Sequence, residues 1–169
     1  MDEGFTIAPV RTPADLDDAR ALFRAYAASL PIDLAYQDFA TELATLPGAY
    51  AAPAGALLIA RDREARAFGC VALRPLAERD GPRRPPTVCE MKRLYVAPTA
   101  RGLGLGRALL AAILAEGGRL GYREVRLDTL PTMTAAIAMY RQAGFAPVAP
   151  YYDTAPAGTI FLGRRLEGG

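Results

Sequence analysis

The chain has 169 residues, of which 51% are hydrophobic and 22% are charged, with a formal net charge of +2. This length and apolar content predict one folded domain, residues 1–169, and argue against disorder. The small net charge argues against a nucleic-acid partner, and the absence of histidine excludes a histidine base or histidine metal ligand.

The two cysteines, Cys70 and Cys89, are too few for an all-cysteine zinc site, and each lies in an apolar, strand-like run. We expect both to pack in the core, and we expect no metal. The N-terminus lacks the basic start and apolar core of a signal peptide, and no segment approaches the ~20 apolar residues that span a membrane. The sequence therefore predicts a cytoplasmic protein with no membrane partner.

The first half of the chain is predicted to contain a strand, two helices and a β-hairpin. Strand-forming runs and apolar residues at helical spacing place these elements at Phe5–Val10, Ala14–Ser29, Leu34–Leu46, Leu57–Arg61 and Phe68–Leu73. Asp80–Pro86 is predicted to be an irregular loop, because its three prolines lack N–H donors. Its Arg83 and Arg84 are either solvated or in contact with an anionic ligand.

The stretch Thr87–Tyr122 is predicted to form a strand, a glycine-rich turn and an amphipathic helix, in that order. The first N–H groups of such a helix lack partners, and glycines let a phosphate approach them. A Walker A loop is excluded because no Gly-Lys-Ser/Thr follows, and a G-x-G-x-x-G fingerprint is excluded because Arg107 and Leu109 stand at the third glycine. The turn predicts a site for a phosphorylated ligand of another kind.

The last part of the chain is predicted to hold a parallel strand, a helix and two closing strands. Glu124–Leu127 follows a helix of crossover length, so it should run parallel to Thr87–Val96. Thr132 or Thr134 is expected to cap a helix that ends at Ala143, with Gly144 in the left-handed position after it and Phe145 as the apolar contact. The closing strands are predicted at Phe145–Tyr152 and Gly158–Arg165.

Two motifs closely resemble those of the GNAT family of N-acetyltransferases. One is R-x-x-G-x-G from Arg101 to Gly106, preceded by K-R-L-Y-V-A-P, and the other is A-x-x-x-Y-x-x-x-G-F from Ala136 to Phe145. The resemblance implies an α/β (α+β) acyl-CoA acyltransferase fold, with a mixed central sheet flanked by helices. It departs from the family at Met133, where many members have an asparagine that contacts the coenzyme.

The resemblance implies direct transfer of an acetyl group from acetyl-CoA to an amine. The N–H groups of Leu94 and Val96 would face the thioester and the pantetheine arm, while the turn would bind the pyrophosphate. The residues expected at the coenzyme are Leu94, Tyr95, Val96, Arg101, Gly102, Leu103, Gly104, Leu105, Gly106 and Arg107.

The resemblance places Tyr140 at the coenzyme sulfur and Glu90 as a general base. Without histidine, the base must be a carboxylate or water. Glu90 is alternatively an ion-pair partner of Lys92 or Arg93. Asp128 is a second candidate base, or else a carboxylate that caps the following loop.

The acceptor pocket of the family would here be walled by Tyr26, Tyr36, Arg74, Tyr151, Tyr152 and Asp153, with Arg74 available for an acceptor carboxylate. A small-molecule amine is the favoured acceptor, and a protein N-terminus or lysine is the alternative. A coenzyme-binding regulatory module without catalysis and a scaffold are the competing functions. A homodimer is compatible with all of these.

Overall fold

The computed structural model describes residues 4–77 and 87–167. The strands are β1 Phe5–Pro9, β2 Ala56–Asp62, β3 Ala67–Pro75, β4 Val88–Val96, β5 Glu124–Thr129, β6 Ala146–Pro147 and β7 Ile160–Arg165. The helices are α1 Pro13–Ser29, α2 Phe39–Thr45, α3 Leu105–Arg119 and α4 Thr134–Gln142. Short 3₁₀ turns precede α2, β2 and α3. The predicted loop Asp80–Pro86 lies outside the described residues.

The seven strands form one sheet in the order β1-β2-β3-β4-β5-β7-β6. All neighbours are antiparallel except β4 and β5, which are parallel and joined by α3. This confirms the predicted mixed sheet and its parallel crossover. Helix α3 buries Leu105, Leu109 and Ile113 against the sheet, on the side that also carries Tyr140 of α4. The opposite face is covered by α1, through Ala19, Leu22 and Phe23.

Two predicted elements are wrong in extent. The helix predicted at Leu34–Leu46 is a 3₁₀ turn followed by α2, because Asp38 adopts a left-handed φ of 55° that interrupts it. The strand predicted at Phe145–Tyr152 is reduced to the two residues of β6, since Pro147 and Pro150 cannot donate to a strand ladder.

The two ends of α4 differ in how well the sequence predicted them. Neither Thr132 nor Thr134 caps its start, because the N-cap is Met133, which makes no side-chain hydrogen bond. Its end matches the prediction. Gly144 has a φ of 91°, and the N–H of Phe145 donates to the carbonyl of Tyr140 at 3.0 Å. The ring centroids of Tyr140 and Phe145 lie 5.8 Å apart, so this Schellman-type cap holds Tyr140 in place.

Candidate active site

Strand β4 is distorted at Arg93 and Leu94. The pairing with β3 shifts by one residue between the pairs Cys70–Tyr95 and Ala72–Lys92, which is a β-bulge. Arg93 has a left-handed φ of 61°, an uncommon conformation for a residue other than glycine. Its buried guanidinium donates to both oxygens of Glu42, at 2.8 and 3.1 Å. That ion pair holds the bulge in place.

The bulge directs backbone N–H groups of β4 away from β3. The N–H of Ala97 donates to the carbonyl of Phe68 at 2.8 Å, on the β3 side. Because N–H groups alternate along a strand, that of Val96 faces the opposite edge, and that of Leu94 does the same. Pairing between β4 and β5 ends at Glu90 and Arg126, so the edge beyond it is open.

The opening between the diverging ends of β4 and β5, which we call the strand gap, is a cleft. Met91–Leu94 line it from β4, and Leu127–Thr129 line it from β5. Tyr140 reaches it from α4, and Tyr26 and Tyr36 close it from the α1 side. The gap therefore joins backbone donors, a phenol and charged side chains at one place.

A second cleft, which we call the glycine-turn cleft, adjoins the start of α3. It is lined by Val96, Ala100, Arg101, Gly102, Gly104, Leu105, Gly106, Arg107, Ala135, Ala138, Met139 and Gln142. Gly104, the N-cap of α3, has a φ of 76°, and the N–H of Ala108 makes the first helical hydrogen bond. The N–H groups of Leu105, Gly106 and Arg107 are thus left for a ligand.

The glycine-turn cleft presents backbone N–H groups and a cation, which suit an anionic ligand. A Cβ built on Gly106 would lie 3.6 Å from Met139 Sδ and 3.9 Å from Val96 Cγ2, within the cleft itself. Arg101 adds a cation to its lining. The exposed Leu103 does not line it, and the ring of Tyr95 packs on Tyr26, so Tyr95 offers the cleft only its backbone.

Tyr140 is 6% exposed and belongs to the core, yet it also lines the strand gap. Burial raises its pKa above the ordinary value of a phenol, and the nearby charge of Asp128 adds to this shift. The hydroxyl therefore stays protonated at neutral pH and can act as a donor.

Glu90 is enclosed in a hydrogen-bonded cluster outside the lining of the strand gap. Its side chain is 1% exposed; Arg74 donates to Oε1 at 2.8 and 2.9 Å, and the Tyr151 hydroxyl donates to Oε2 at 2.6 Å. Lys92 Nζ lies 3.9 Å from Oε2. The predicted ion pair of Glu90 thus involves Arg74 first and Lys92 weakly, while Arg93 pairs with Glu42 instead.

Replacing Arg74 by methionine should lower stability more than it affects acceptor binding. It would leave Glu90 buried beside a single hydroxyl donor, at a cost of about 2–3 kcal/mol, somewhat under that of breaking a fully buried pair. The midpoint of thermal unfolding should fall by roughly 4–12 °C. Arg66→Met is the control, because Arg66 pairs with Asp62 at the surface and its loss should leave the midpoint nearly unchanged. A normal midpoint with a raised KM would make Arg74 an acceptor ligand.

Asp128 lines the strand gap from β5, opposite the bulge. The Tyr152 hydroxyl donates a short hydrogen bond to Oδ2, and Gln37 Nε2 lies 3.5 Å from the same oxygen. Within residues 4–77 and 87–167, Oδ1 receives no hydrogen bond. The pKa of Tyr152 is raised by burial first and by Asp128 second, so its hydroxyl remains the donor.

Most of the predicted site residues line the two clefts, and the exceptions are Leu103, Tyr95, Glu90, Arg74, Tyr151, Tyr152 and Asp153. Tyr26 and Tyr36 line the strand gap, whereas Arg74 and Tyr151 converge on Glu90. The sequence suggested Lys92 only as an ion-pair partner of Glu90, and strand alternation places the two residues on the same face of β4. Both cysteines are buried, as predicted.

An open mixed sheet whose parallel strands diverge beside a glycine turn at a helix start is the fold of a class of acyl-CoA acyltransferases. The model of the Acetyltransferase (GNAT) family matches residues 19–145. The chain belongs to the GNAT family and is an acetyl-CoA-dependent N-acetyltransferase.

Relatives of known sequence or structure agree with this assignment. An uncharacterised N-acetyltransferase of Schizosaccharomyces pombe is 39% identical, over 96% of this chain and 94% of the relative. An aminoglycoside N(6')-acetyltransferase of Klebsiella aerogenes is 35% identical, over 67% of this chain and 74% of the relative. A phosphinothricin acetyltransferase of Sinorhizobium meliloti, solved with acetyl-CoA, shares the fold with a TM-score of 0.68 and 22% identity, covering 96% of this chain and 89% of its own. None of the described helices is long and apolar enough to cross a membrane.

Proposed function

We propose that the protein acetylates the primary amine of a small molecule, and that the amine attacks the acetyl thioester directly inside the strand gap. The observation that carries this proposal is the meeting of Leu94, Asp128 and Tyr140 at one opening in the sheet. The small acceptor is supported by the enclosure of the gap by Tyr26 and Tyr36, and by the relative that acetylates an aminoglycoside.

The backbone at the bulge would stabilise the charge that develops during attack. As the C–N bond forms, the thioester carbonyl oxygen becomes negative. Strand alternation directs the N–H of Leu94 towards the gap, beyond the last pair of β4 and β5, so it would donate to that oxygen. In other enzymes one oxyanion donor contributes about 3–4 kcal/mol to transition-state stabilisation.

Asp128, rather than Glu90, is the better-placed acceptor of the amine proton. Both oxygens of Glu90 already accept hydrogen bonds, and the side chain is enclosed. Asp128 lines the gap, and its Oδ1 is open to a ligand. A free alkylammonium has a pKa near ~10.4, so loss of its proton accompanies attack, when the nitrogen becomes more acidic. Glu90 would then act as a positioning residue that anchors Tyr151 and Arg74.

Tyr140 would assist departure of the thiolate. Collapse of the tetrahedral intermediate breaks the C–S bond and leaves negative charge on sulfur. A thiol has a pKa near ~8.5, below that of the phenol, so Tyr140 would stabilise the thiolate mainly by a hydrogen bond. The raised pKa of Tyr140 strengthens this conclusion, because full proton transfer becomes less favourable.

Tyr140→Phe should lower kcat by about 10- to 100-fold, with the Kd for coenzyme A nearly unchanged, because the ring is kept and one hydroxyl is deleted. Steady-state kinetics and calorimetric titration measure the two quantities. Tyr122→Phe is the control, since it also deletes one buried hydroxyl, which donates to the Ala54 carbonyl away from both clefts, and it should leave kcat nearly unchanged. A normal kcat with a lowered unfolding temperature would assign Tyr140 to packing alone.

The proposed function is tested by incubating the protein with acetyl-CoA and a panel of small amines, peptides and proteins while following free thiol. We expect thiol release that depends on a small amine. Release that depends only on peptides or proteins would contradict the small-molecule acceptor. Coenzyme binding with no amine-dependent release would favour a regulatory module.

A further inference from the structure

Lys92 is the single lysine among the 20 basic residues of the chain. Its side chain is 4% exposed, and it lines the strand gap. Burial lowers its pKa, and the charges of Glu90 and Asp128 counteract that shift in part. Burying a cation is costly unless it finds an anionic partner, so a lysine at this position requires an explanation.

The charged side chains around the gap form two close ion pairs and leave two charges without one. Arg93 and Glu42 neutralise each other, and so do Arg74 and Glu90. The nearest carboxylate oxygen to Lys92 within the described part of the chain is Glu90 Oε2, at 3.9 Å. That distance is beyond a hydrogen bond, and Tyr151 already occupies this oxygen. We call Lys92 and Asp128 the two unmatched charges, because among the described residues Lys92 has only this long contact to Glu90 and Asp128 forms no ion pair.

The two unmatched charges stand on the two walls of the same opening. The last paired residues of β4 and β5 are Glu90 and Arg126, and Lys92 and Asp128 each lie two positions further along. Their neighbours Met91 and Leu127 belong to the core beneath α3 and α4, so Lys92 and Asp128 share the other face. A ligand in the gap from the α1 side would thus meet a cation on one wall and a carboxylate on the other.

We propose that the acceptor is an α-amino acid or a similarly short amino-carboxylate, whose carboxylate binds Lys92 and whose amino group lies at Asp128. This inference rests on the proposed function and narrows its acceptor. The lining near α1 includes Leu30, Ile32 and Leu34 beside the rings of Tyr26 and Tyr36, which favours an apolar or aromatic amino-acid side chain. Lys92 takes over the carboxylate-binding role that the sequence suggested for Arg74.

The proposal is tested with the common L-amino acids and their α-amides as acceptors. An amide keeps the amino group and the side chain but removes the negative charge. In the wild type, kcat/KM should be at least about tenfold higher for the preferred amino acid than for its amide, as expected for a charge-assisted contact. Lys92→Met should bring that ratio close to one, and Lys92→Arg should restore part of it. Lys92 does not line the glycine-turn cleft, so both variants should bind coenzyme A with normal affinity, which checks that they are folded.

A spectroscopic measurement tests the contact without turnover. Protein labelled with ¹³Cε-lysine gives one side-chain resonance from the single lysine, and it is titrated in the presence of saturating coenzyme A. We expect the amino acid to shift this resonance and the amide to leave it in place. A wild type that prefers amides, or a Lys92→Met variant with an unchanged ratio, would overturn the inference and leave amine acetylation standing. No amine-dependent thiol release with any acceptor would overturn both.

Discussion

Asp128→Asn should lower kcat/KM for amine acetylation by about 10²- to 10⁴-fold, the range typical for loss of a general base. The amide keeps the size of the side chain and can still contact Tyr152, but it cannot take up a proton at neutral pH. Coenzyme affinity should be nearly unchanged, because Asp128 does not line the glycine-turn cleft. Initial rates with saturating acetyl-CoA, together with titration of coenzyme A, separate these two effects.

Glu90→Gln is the matched control for Asp128→Asn. Glutamine can still accept from Arg74 through its amide oxygen and donate to the Tyr151 hydroxyl through its amide nitrogen, so we expect a loss of less than tenfold in kcat/KM at a temperature where the variant is folded. Each variant replaces one carboxylate by the corresponding amide, and the two positions lie on adjacent strands and on the same face of the sheet. A large loss in Glu90→Gln beside a nearly normal Asp128→Asn would make Glu90 the base.

Gly106→Val should raise the Kd for acetyl-CoA by at least about 100-fold. Gly106 has an ordinary helical backbone in the first turn of α3, so the substitution forces no unusual φ. The Cβ and its methyl groups would instead stand between Met139 and Val96, inside the glycine-turn cleft. These Cβ distances are ordinary van der Waals contacts, so the side chain fits the protein, but its methyl groups would occupy the space proposed for the pyrophosphate. Each lost N–H contact to an anion costs about 1.5–3 kcal/mol.

Gly118→Val is the control for Gly106→Val, because it lies in the same helix and no atom comes within 4 Å of its Cβ position. It should leave the Kd unchanged. Isothermal titration with acetyl-CoA measures both, and circular dichroism checks the helix content. Equal affinities for acetyl-CoA in the two variants would show that the pyrophosphate does not bind at this turn.

The arrangement around the glycine turn could be predicted because its determinants are local in sequence. Arg101–Gly106 requires a turn with left-handed glycines, and the apolar spacing after it requires a helix. The end of α4 was predictable for the same reason, since Gly144 and Phe145 carry the whole cap. The two motifs also imply the family, and with it the mixed central sheet flanked by helices.

Features that depend on contacts between distant residues could not be predicted. The left-handed Arg93 is held by Glu42, 51 positions earlier, and Glu90 is held by Tyr151, 61 positions later. The sequence leaves Glu90 with two nearby cations as candidate partners, and the cross-strand register selects Arg74 instead. The division of Leu34–Leu46 likewise depends on one residue, Asp38, whose backbone is set by its surroundings.

We propose that the acetyl group moves inside the strand gap, between the bulge of β4 and Asp128 of β5. A crystal structure of the protein with coenzyme A tests it most directly. We predict the pyrophosphate on the N–H groups at the start of α3, and the coenzyme sulfur in the gap, within hydrogen-bond reach of the Tyr140 hydroxyl. A coenzyme whose sulfur lies outside the gap, away from both Tyr140 and the backbone of Leu94, would show that the acetyl group is not transferred there.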